Sequence, residues 1–201
     1  MISKLAMIGV VSCALIAAAM VSGAETSSYQ VAGRRFDIPK DHLFDSSIAW
    51  LPRPSADSFT FLFEPAKNPD QIPTHRVLVQ DLAAHCPGDA SQLLRLACGS
   101  EKTDIGDGPP YVREPGSIPA LFNLYAVEKS DAGNSKSEKR QVAYCQVFEP
   151  NPVQPKSRNI CTTFWAHDGL SLQFSFDERD APQMPAMKKR AVELLDSWKA
   201  R

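Results

Sequence analysis

The stretch from Leu121 to the C-terminus constrains the fold most, because it predicts four consecutive strands followed by a helix. The strand candidates are runs rich in apolar, β-branched and aromatic residues, bounded by turn-forming segments. They cover residues 121–127, 140–148, 159–166 and 170–177. Together they predict a β-meander that a C-terminal helix closes.

The clearest strand candidate runs from Leu170 to Phe176, where apolar and polar residues alternate strictly. Successive side chains of a strand point to opposite faces, so the apolar residues of this segment share one face. This apolar row consists of Leu170, Leu172, Phe174 and Phe176.

A turn at residues 167–169 joins this strand to the preceding one, and two registers are open. A two-residue turn would place Cys161 and Trp165 on the face of the apolar row. A three-residue turn with the glycine as a bulge would place Ile160 and Phe164 there. We expect the three-residue turn, because it adds two strongly apolar residues to that face, and a slip of one residue reverses every side chain.

An amphipathic helix is predicted over about residues 182–199, with Asp180 as its cap and Pro182 in its first turn. Apolar residues recur in it at three- and four-residue steps, which indicates a helix packed on a sheet. These residues are Met184, Met187, Ala191, Leu194, Leu195 and Trp198. We interpret the basic run at 188–190 as a solvated helix face rather than a nucleic-acid patch.

Further elements are predicted before the meander. They are a short hairpin about Ala32-Gly33, strands at 58–64 and 75–80, and a short helix at 89–97. In strand 58–64 the three phenylalanines at 59, 61 and 63 share a face, which we expect to be buried rather than exposed as a stacking platform. The predicted fold class is α+β, an antiparallel sheet packed by the C-terminal helix and the shorter helix.

Residues 1–24 have the pattern of a cleavable signal peptide. A basic start with Lys4 precedes an apolar run, and small residues lead to a predicted cleavage after Ala24. A retained membrane anchor is the alternative; acylation at Cys13 is disfavoured, since this residue lies in the middle of the apolar run. Residues 25–201 are expected to form a single globular α+β domain.

Four cysteines follow the predicted cleavage site, and an even number in an exported chain predicts two disulfides. Three pairings are possible. We favour Cys86–Cys98, which would fasten a short helix to the preceding loop, and Cys145–Cys161, which would link neighbouring strands. A zinc site is disfavoured because the chain has no Cys-x-x-Cys motif, so we expect neither metal nor cofactor.

Charge and motifs exclude several function classes. The formal net charge of −1 argues against a general nucleic-acid binder and against a polybasic membrane-surface protein. The sequence has no nucleophile elbow, Walker loop, His-Glu-x-x-His motif or dinucleotide fingerprint. His167 and Asp168 are interpreted as a hairpin tip rather than half of a catalytic dyad. We therefore expect a protein that is not an enzyme.

The segment 101–119 is the longest stretch without periodicity, and long loops of this kind are often functional. Its carboxylates lack the ligand spacing of an EF-hand calcium loop. Tyrosine and arginine are typical of protein contact surfaces, so this loop is the first candidate for binding a protein partner, and a plain surface excursion is the alternative. The candidate residues are Asp104, Asp107, Tyr111, Arg113 and Glu114.

The layout of the chain resembles small exported proteins that act as periplasmic immunity proteins against type VI secretion effectors. The resemblance spans most of the mature chain and rests on the strand at 36–40, the bend Trp50-Leu-Pro52, the meander and the C-terminal helix ending at Trp198. The architecture is also similar to PsbP-like α/β/α sandwiches. The resemblance implies a periplasmic inhibitor that binds a secreted toxin without catalysis. A cell-envelope assembly factor and a hydrolase with a dispersed site are the alternatives.

Overall fold

The computed structural model describes residues 25–43, 58–65, 75–86, 95–98, 110–128, 138–150 and 157–200. These residues contain nine strands: β1 (Thr26–Val31), β2 (Arg34–Pro39), β3 (Ser58–Leu62), β4 (Arg76–Asp81), β5 (Tyr111–Pro115), β6 (Leu121–Glu128), β7 (Glu138–Phe148), β8 (Arg158–His167) and β9 (Leu170–Asp177). The α-helices of the same residues are α1 (Leu82–His85), α2 (Arg95–Cys98) and α3 (Met184–Ser197).

The main sheet has seven antiparallel strands in the order β3-β4-β9-β8-β7-β6-β5. The four strands predicted for the C-terminal stretch are β6 to β9, and they occupy adjacent positions in this order. The meander and the C-terminal helix are therefore confirmed. The first part of the chain adds β3 and β4 beside β9, so the meander lies between elements from earlier in the sequence.

The expected register of the β8–β9 hairpin is wrong. The structure pairs His167 with Leu170 and Trp165 with Leu172 across a two-residue turn, so Trp165 and Cys161 share the face of the apolar row. Asp168 and Gly169 both have positive φ, 51° and 76°, as a type I′ turn requires. The twist of a type I′ turn matches the twist of the strands. This preference outweighs the gain from placing Ile160 and Phe164 on the face of the apolar row.

The predicted hairpin about Ala32-Gly33 is present as a separate two-stranded sheet, β1-β2. Its outer edge pairs with the end of the chain, because the amide of Asp37 donates to the Trp198 carbonyl and the amide of Ala200 donates to that of Arg35, both at 2.9 Å. Phe36 and the rest of its inner face are buried. The first strands and the last residues therefore hold each other in place.

The core lies between one face of the main sheet, the β1-β2 hairpin and α3. The phenylalanine row of β3 is buried as predicted, with Phe59, Phe61 and Phe63 at 1%, 0% and 8% exposure. Cross-strand pairing aligns this row with Val77 and Val79 of β4, which pair in turn with the apolar row of β9. Large apolar side chains from three adjacent strands thus form one continuous layer.

Helix α3 begins later than expected and lacks the predicted cap. A 3₁₀ segment, Glu178–Gln183, precedes it, and the carboxylate of Asp177 accepts a hydrogen bond from the amide of Arg179 at 3.1 Å. The carboxylate of Asp177 therefore caps the 3₁₀ segment, whereas α3 itself begins after Gln183, which makes no capping hydrogen bond, so the predicted cap at Asp180 is wrong. Pro182 lies inside the 3₁₀ segment, where its missing N–H costs little.

The structure pairs the four cysteines as Cys86–Cys98 and Cys145–Cys161. The second pair joins directly opposite residues of β7 and β8 in the core. The first pair links the end of α1 to α2, which lies against β8 and β7. Only residues 95–97 of the predicted helix 89–97 belong to the described part of the chain, so the α/β/α layering stays a prediction.

Candidate functional site

The predicted partner loop is in part a strand. Asp104 and Asp107 lie outside the described residues, whereas Tyr111, Arg113 and Glu114 belong to β5 at one end of the main sheet. The amide of Gly116 donates to the Leu121 carbonyl at 2.9 Å, next to the β5–β6 ladder. The residues between 111 and 115 are therefore held in a ladder and are not an irregular loop.

The pleat of β5 divides the predicted residues between two faces. Tyr111 and Arg113 pair with Ala126 and Leu124 on the face that carries α3, while Glu114 points to the opposite face. There Glu114 accepts a hydrogen bond from Lys139 at 2.8 Å. A partner that contacts β5 from one side cannot use all three side chains.

Arg113 is fixed in position by two contacts. Its guanidinium donates to both carboxylate oxygens of Glu178, at 2.5 and 2.6 Å, and lies 5.1 Å from the centre of the Phe122 ring. Bidentate arginine pairs of this kind are geometrically specific. The pair connects β5 to the segment before α3 and keeps the arginine oriented although 61% of its side chain is exposed.

Exposed apolar side chains lie at the same end of the sheet. Within the described residues the exposed large apolar side chains are Ile118 at 53% and Phe148 at 41%. The amide of Val147 donates to the Ala120 carbonyl at 2.9 Å, which brings the end of β7 to the β5–β6 turn. A groove of about 550 Å³ runs along this turn, lined by residues 113–119 together with Leu121 and Phe122.

Gly116 sets the geometry of this turn. A Cβ atom at this position would lie 2.8 Å from the Leu121 carbonyl oxygen, closer than such atoms pack. The close approach holds the turn against β6 and projects Ile118 outward. We call Tyr111, Arg113, Ile118 and Phe122 the edge surface.

A charged cluster beside the edge surface is internally paired. Arg179 donates hydrogen bonds that hold the pKa of Asp177 well below its ordinary value, and Arg158 adds a further bond from β8. Asn159 donates to Glu178 at 2.8 Å. A carboxylate held by cations in this way is a weak base, so Asp177 is unsuited to proton transfer. Glu178 connects the cluster to Arg113 of β5.

At the hairpin tip, His167 and Asp168 each pair with residues from other elements. His167 pairs with Asp196 of α3 at 3.0 Å, while Asp168 pairs with Arg34 and Lys199, each at 2.9 Å. These contacts tie the β8–β9 turn to the hairpin and to the chain end. Among the described residues no group of three or more His, Cys, Asp or Glu side chains is arranged to hold a metal ion.

A second polar feature of the described residues was not predicted. Lys188 lies on the helix face that packs on the sheet, its ammonium 5.5 Å from the centre of the Trp165 ring. Burial, and to a smaller extent the charge of Arg140, lower the pKa of Lys188 to about 8. The expectation of a solvated run at 188–190 holds for Lys189 and Arg190, which are exposed, but is wrong for Lys188. We call Arg140, Trp165 and Lys188 the cation cluster.

The substitution Lys188→Met is expected to raise the free energy of unfolding at pH 7 by about 1 kcal/mol. It removes a desolvated charge that Arg140 repels, and a methionine keeps the packing on Trp165. The pKa of Lys188 is about 8 in the folded protein, below its ordinary value of 10.5. Between pH 8 and pH 10.5 the unfolded chain therefore binds more protons than the folded protein. The free energy of unfolding of the wild type accordingly rises with pH in this range.

Urea denaturation of both proteins at pH 7 and pH 10 checks this expectation. The advantage of Lys188→Met should shrink at pH 10, whereas Lys189→Met, its exposed neighbour, should differ little from the wild type at either pH. A constant advantage at both values would contradict a lowered pKa.

Comparisons with known proteins identify no family. No family model and no curated protein sequence matches the chain. Among solved structures, an immunity protein of the Stenotrophomonas maltophilia type IV secretion system, Smlt3025, is 11% identical, with 89% of this chain and 94% of that chain covered and a TM-score of 0.46. The iron-regulated outer membrane lipoprotein FrpD of Neisseria meningitidis is 10% identical, with 87% and 92% covered and a TM-score of 0.41.

These two likenesses assign neither a family nor a function to this chain. The first structure belongs to a type IV system, so the type VI and PsbP-like resemblances stay predictions. The two disulfides are compatible with an oxidising compartment outside the cytoplasm. None of the helices in the described residues combines the length and apolar character needed to cross a bilayer.

Proposed function

We propose that this protein is a non-catalytic, periplasmic binding protein of the immunity type, which inhibits a secreted toxin by covering it with the edge surface. The observation that carries the proposal is the exposure of Ile118, 53%, beside a groove at the end of the sheet. An isoleucine held outward by a tight turn loses little conformational freedom when a partner covers it.

The composition of the edge surface supports a protein as the partner. Aromatic residues and arginine are enriched at the centres of protein interfaces, and the edge surface contains Tyr111, Phe122 and Arg113 in addition to the exposed Ile118. Arg113 is already oriented by Glu178, so its ordering costs little on binding. Stable interfaces bury about 800 Å² on each partner, which requires contacts across the whole edge surface and its surroundings.

The test first identifies the genes on either side of this one and uses any secreted effector that they encode as the probe. Calorimetry with purified effector and the mature protein should give a complex, and Ile118→Asp should weaken it by about tenfold or more, since a buried, unpaired carboxylate replaces an apolar contact. Lys189→Asp on the exposed side of α3 is the matched control and should bind as the wild type does.

Two results would overturn the proposal. One is the absence of a complex with the neighbouring effector together with unchanged growth of a deletion strain exposed to toxin-bearing cells, which would favour an envelope assembly factor. The other is substrate turnover that depends on one histidine, which would favour a hydrolase.

A further inference from the structure

Strand β5 ends the strand order of the main sheet, and within the described residues it pairs with β6 alone. The backbone groups of an antiparallel strand point alternately toward its two sides. The amide of Gly116 donates to the Leu121 carbonyl, and the amide of Val127 donates to the Pro110 carbonyl at 3.3 Å. The even-numbered residues of β5 therefore bond to β6, and the odd-numbered residues direct their backbone groups away from it.

Arg113 and Pro115 are the outward-facing residues of β5 next to the β5–β6 turn. The Arg113 side chain is 61% exposed, and Pro115 is exposed as well. Proline has no N–H to donate, so sheets accept it where the N–H would face away from the neighbouring strand. This part of the edge thus presents one amide donor, from Arg113, and the carbonyl acceptors of both residues.

The conformation of this edge is fixed before a partner binds. The ladder with β6 holds one side of β5, and the bidentate pair with Glu178 holds the Arg113 side chain on the face that carries α3. A partner that pairs with a fixed edge does not have to order it, which lowers the entropic cost of binding. The groove contains Arg113, Pro115 and the exposed Ile118, so backbone and apolar contacts are available in one place.

We propose that the partner protein adds an extended strand to β5 and pairs with the outward backbone groups of Arg113 and Pro115. The proposal rests on the proposed function, since it states how the toxin engages the edge surface. In strand addition, main-chain hydrogen bonds supply affinity and side-chain contacts supply specificity, here from Ile118. A second copy of this chain fits the edge less well, because pairing about a twofold axis at Arg113 would bring two guanidinium groups opposite each other.

Amide hydrogen exchange of the mature protein alone, followed by NMR, tests whether the edge is open. The Arg113 amide should exchange fast, and the Glu114 amide, which faces β6, should exchange slowly. A secreted effector encoded by the neighbouring genes should then slow exchange at Arg113 by about tenfold or more. A slow Arg113 amide in the free protein would overturn the proposal, since the edge would already be covered.

Two substitutions at Arg113 separate its backbone from its side chain. Arg113→Ala and Arg113→Pro both lose the pair with Glu178, but only proline removes the outward N–H. We expect Arg113→Pro to bind the effector about tenfold or more weakly than Arg113→Ala in calorimetry. Circular dichroism checks that both variants fold, and the exchange measurement on the wild type decides the question if the proline variant does not.

The outcomes distinguish this mode of binding from the proposed function. If the effector binds but leaves the Arg113 amide unprotected, or binds both Arg113 variants alike, strand addition is wrong and the proposed function stands. The absence of a complex overturns strand addition, and together with unchanged growth of the deletion strain it overturns the proposed function as well. A dimer in light scattering that Arg113→Pro disrupts would show that a second copy occupies the edge, which also overturns the proposal.

Discussion

Removal of the Cys145–Cys161 disulfide by the paired substitution Cys145→Ala and Cys161→Ala is expected to lower the free energy of unfolding by about 3 kcal/mol or more. The two cysteines are 16 residues apart, and a cross-link that closes a loop of this length restricts the unfolded chain. Both residues are fully buried on neighbouring strands. Alanine is used because a serine hydroxyl would need an acceptor at this position.

Urea denaturation, followed by circular dichroism, measures the loss. The paired variant Cys86→Ala and Cys98→Ala is the matched control, since its separation of 12 residues gives nearly the same chain-entropy term, about 3 kcal/mol, at a site between two short helices. A larger loss of unfolding free energy for the Cys145–Cys161 variant than for the control would show that packing of the buried bridge adds to the chain-entropy term. A loss below about 1 kcal/mol, or free thiols in protein exported to an oxidising compartment, would contradict the expectation.

The alternation of residues was sufficient to predict the meander but not its register. Strand β9 buries one face more fully than the other, so its apolar row is visible in the sequence. The neighbouring β8 is buried on both faces from Cys161 to Trp165, including Thr162 and Thr163, and therefore shows no period of two. Apolar matching could not choose between the two registers, and the geometry of the Asp168-Gly169 turn decided it.

The edge strand β5 was missed because its residues do not alternate in polarity. The segment Tyr111–Pro115 has no fully buried residue, and its strand conformation depends on the ladder with β6. Such a strand is specified by its partner rather than by its own composition. The exposure of Ile118 likewise depends on its place in the β5–β6 turn and not on its residue type.

The cation cluster could not be predicted because it joins residues distant in sequence. The helical period assigned Lys188 to a charged run, although it also lies three and four residues from the buried Ala191 and Met184. Only the fold brings Trp165 beneath that helix face and places Arg140 on the same face of the sheet. Local pattern therefore located the scaffold, whereas the edge surface and the cation cluster arose from contacts between elements.

The substitution Phe174→Ala is expected to cost about 3–5 kcal/mol of the free energy of unfolding. Phe174 is 1% exposed and packs edge-to-face on Phe63 and Trp165, with ring centres 5.7 and 5.6 Å apart. Truncation leaves a cavity between β3, β8 and β9, which the paired strands cannot close because their ladder fixes their spacing.

The same substitution at an exposed position, Phe148→Ala, is the matched control. Phe148 is 41% exposed at the end of β7, so its truncation removes less packed surface and should cost less than about 1 kcal/mol. Urea denaturation compares the two variants, and equal losses would contradict the assignment of the core to the face of Phe174. Because Phe148 lies on the sheet face opposite to Arg113 and Phe122, its variant should stay folded and bind the effector as the wild type does. The two phenylalanines therefore distinguish burial in the core from exposure on the opposite face of the same sheet.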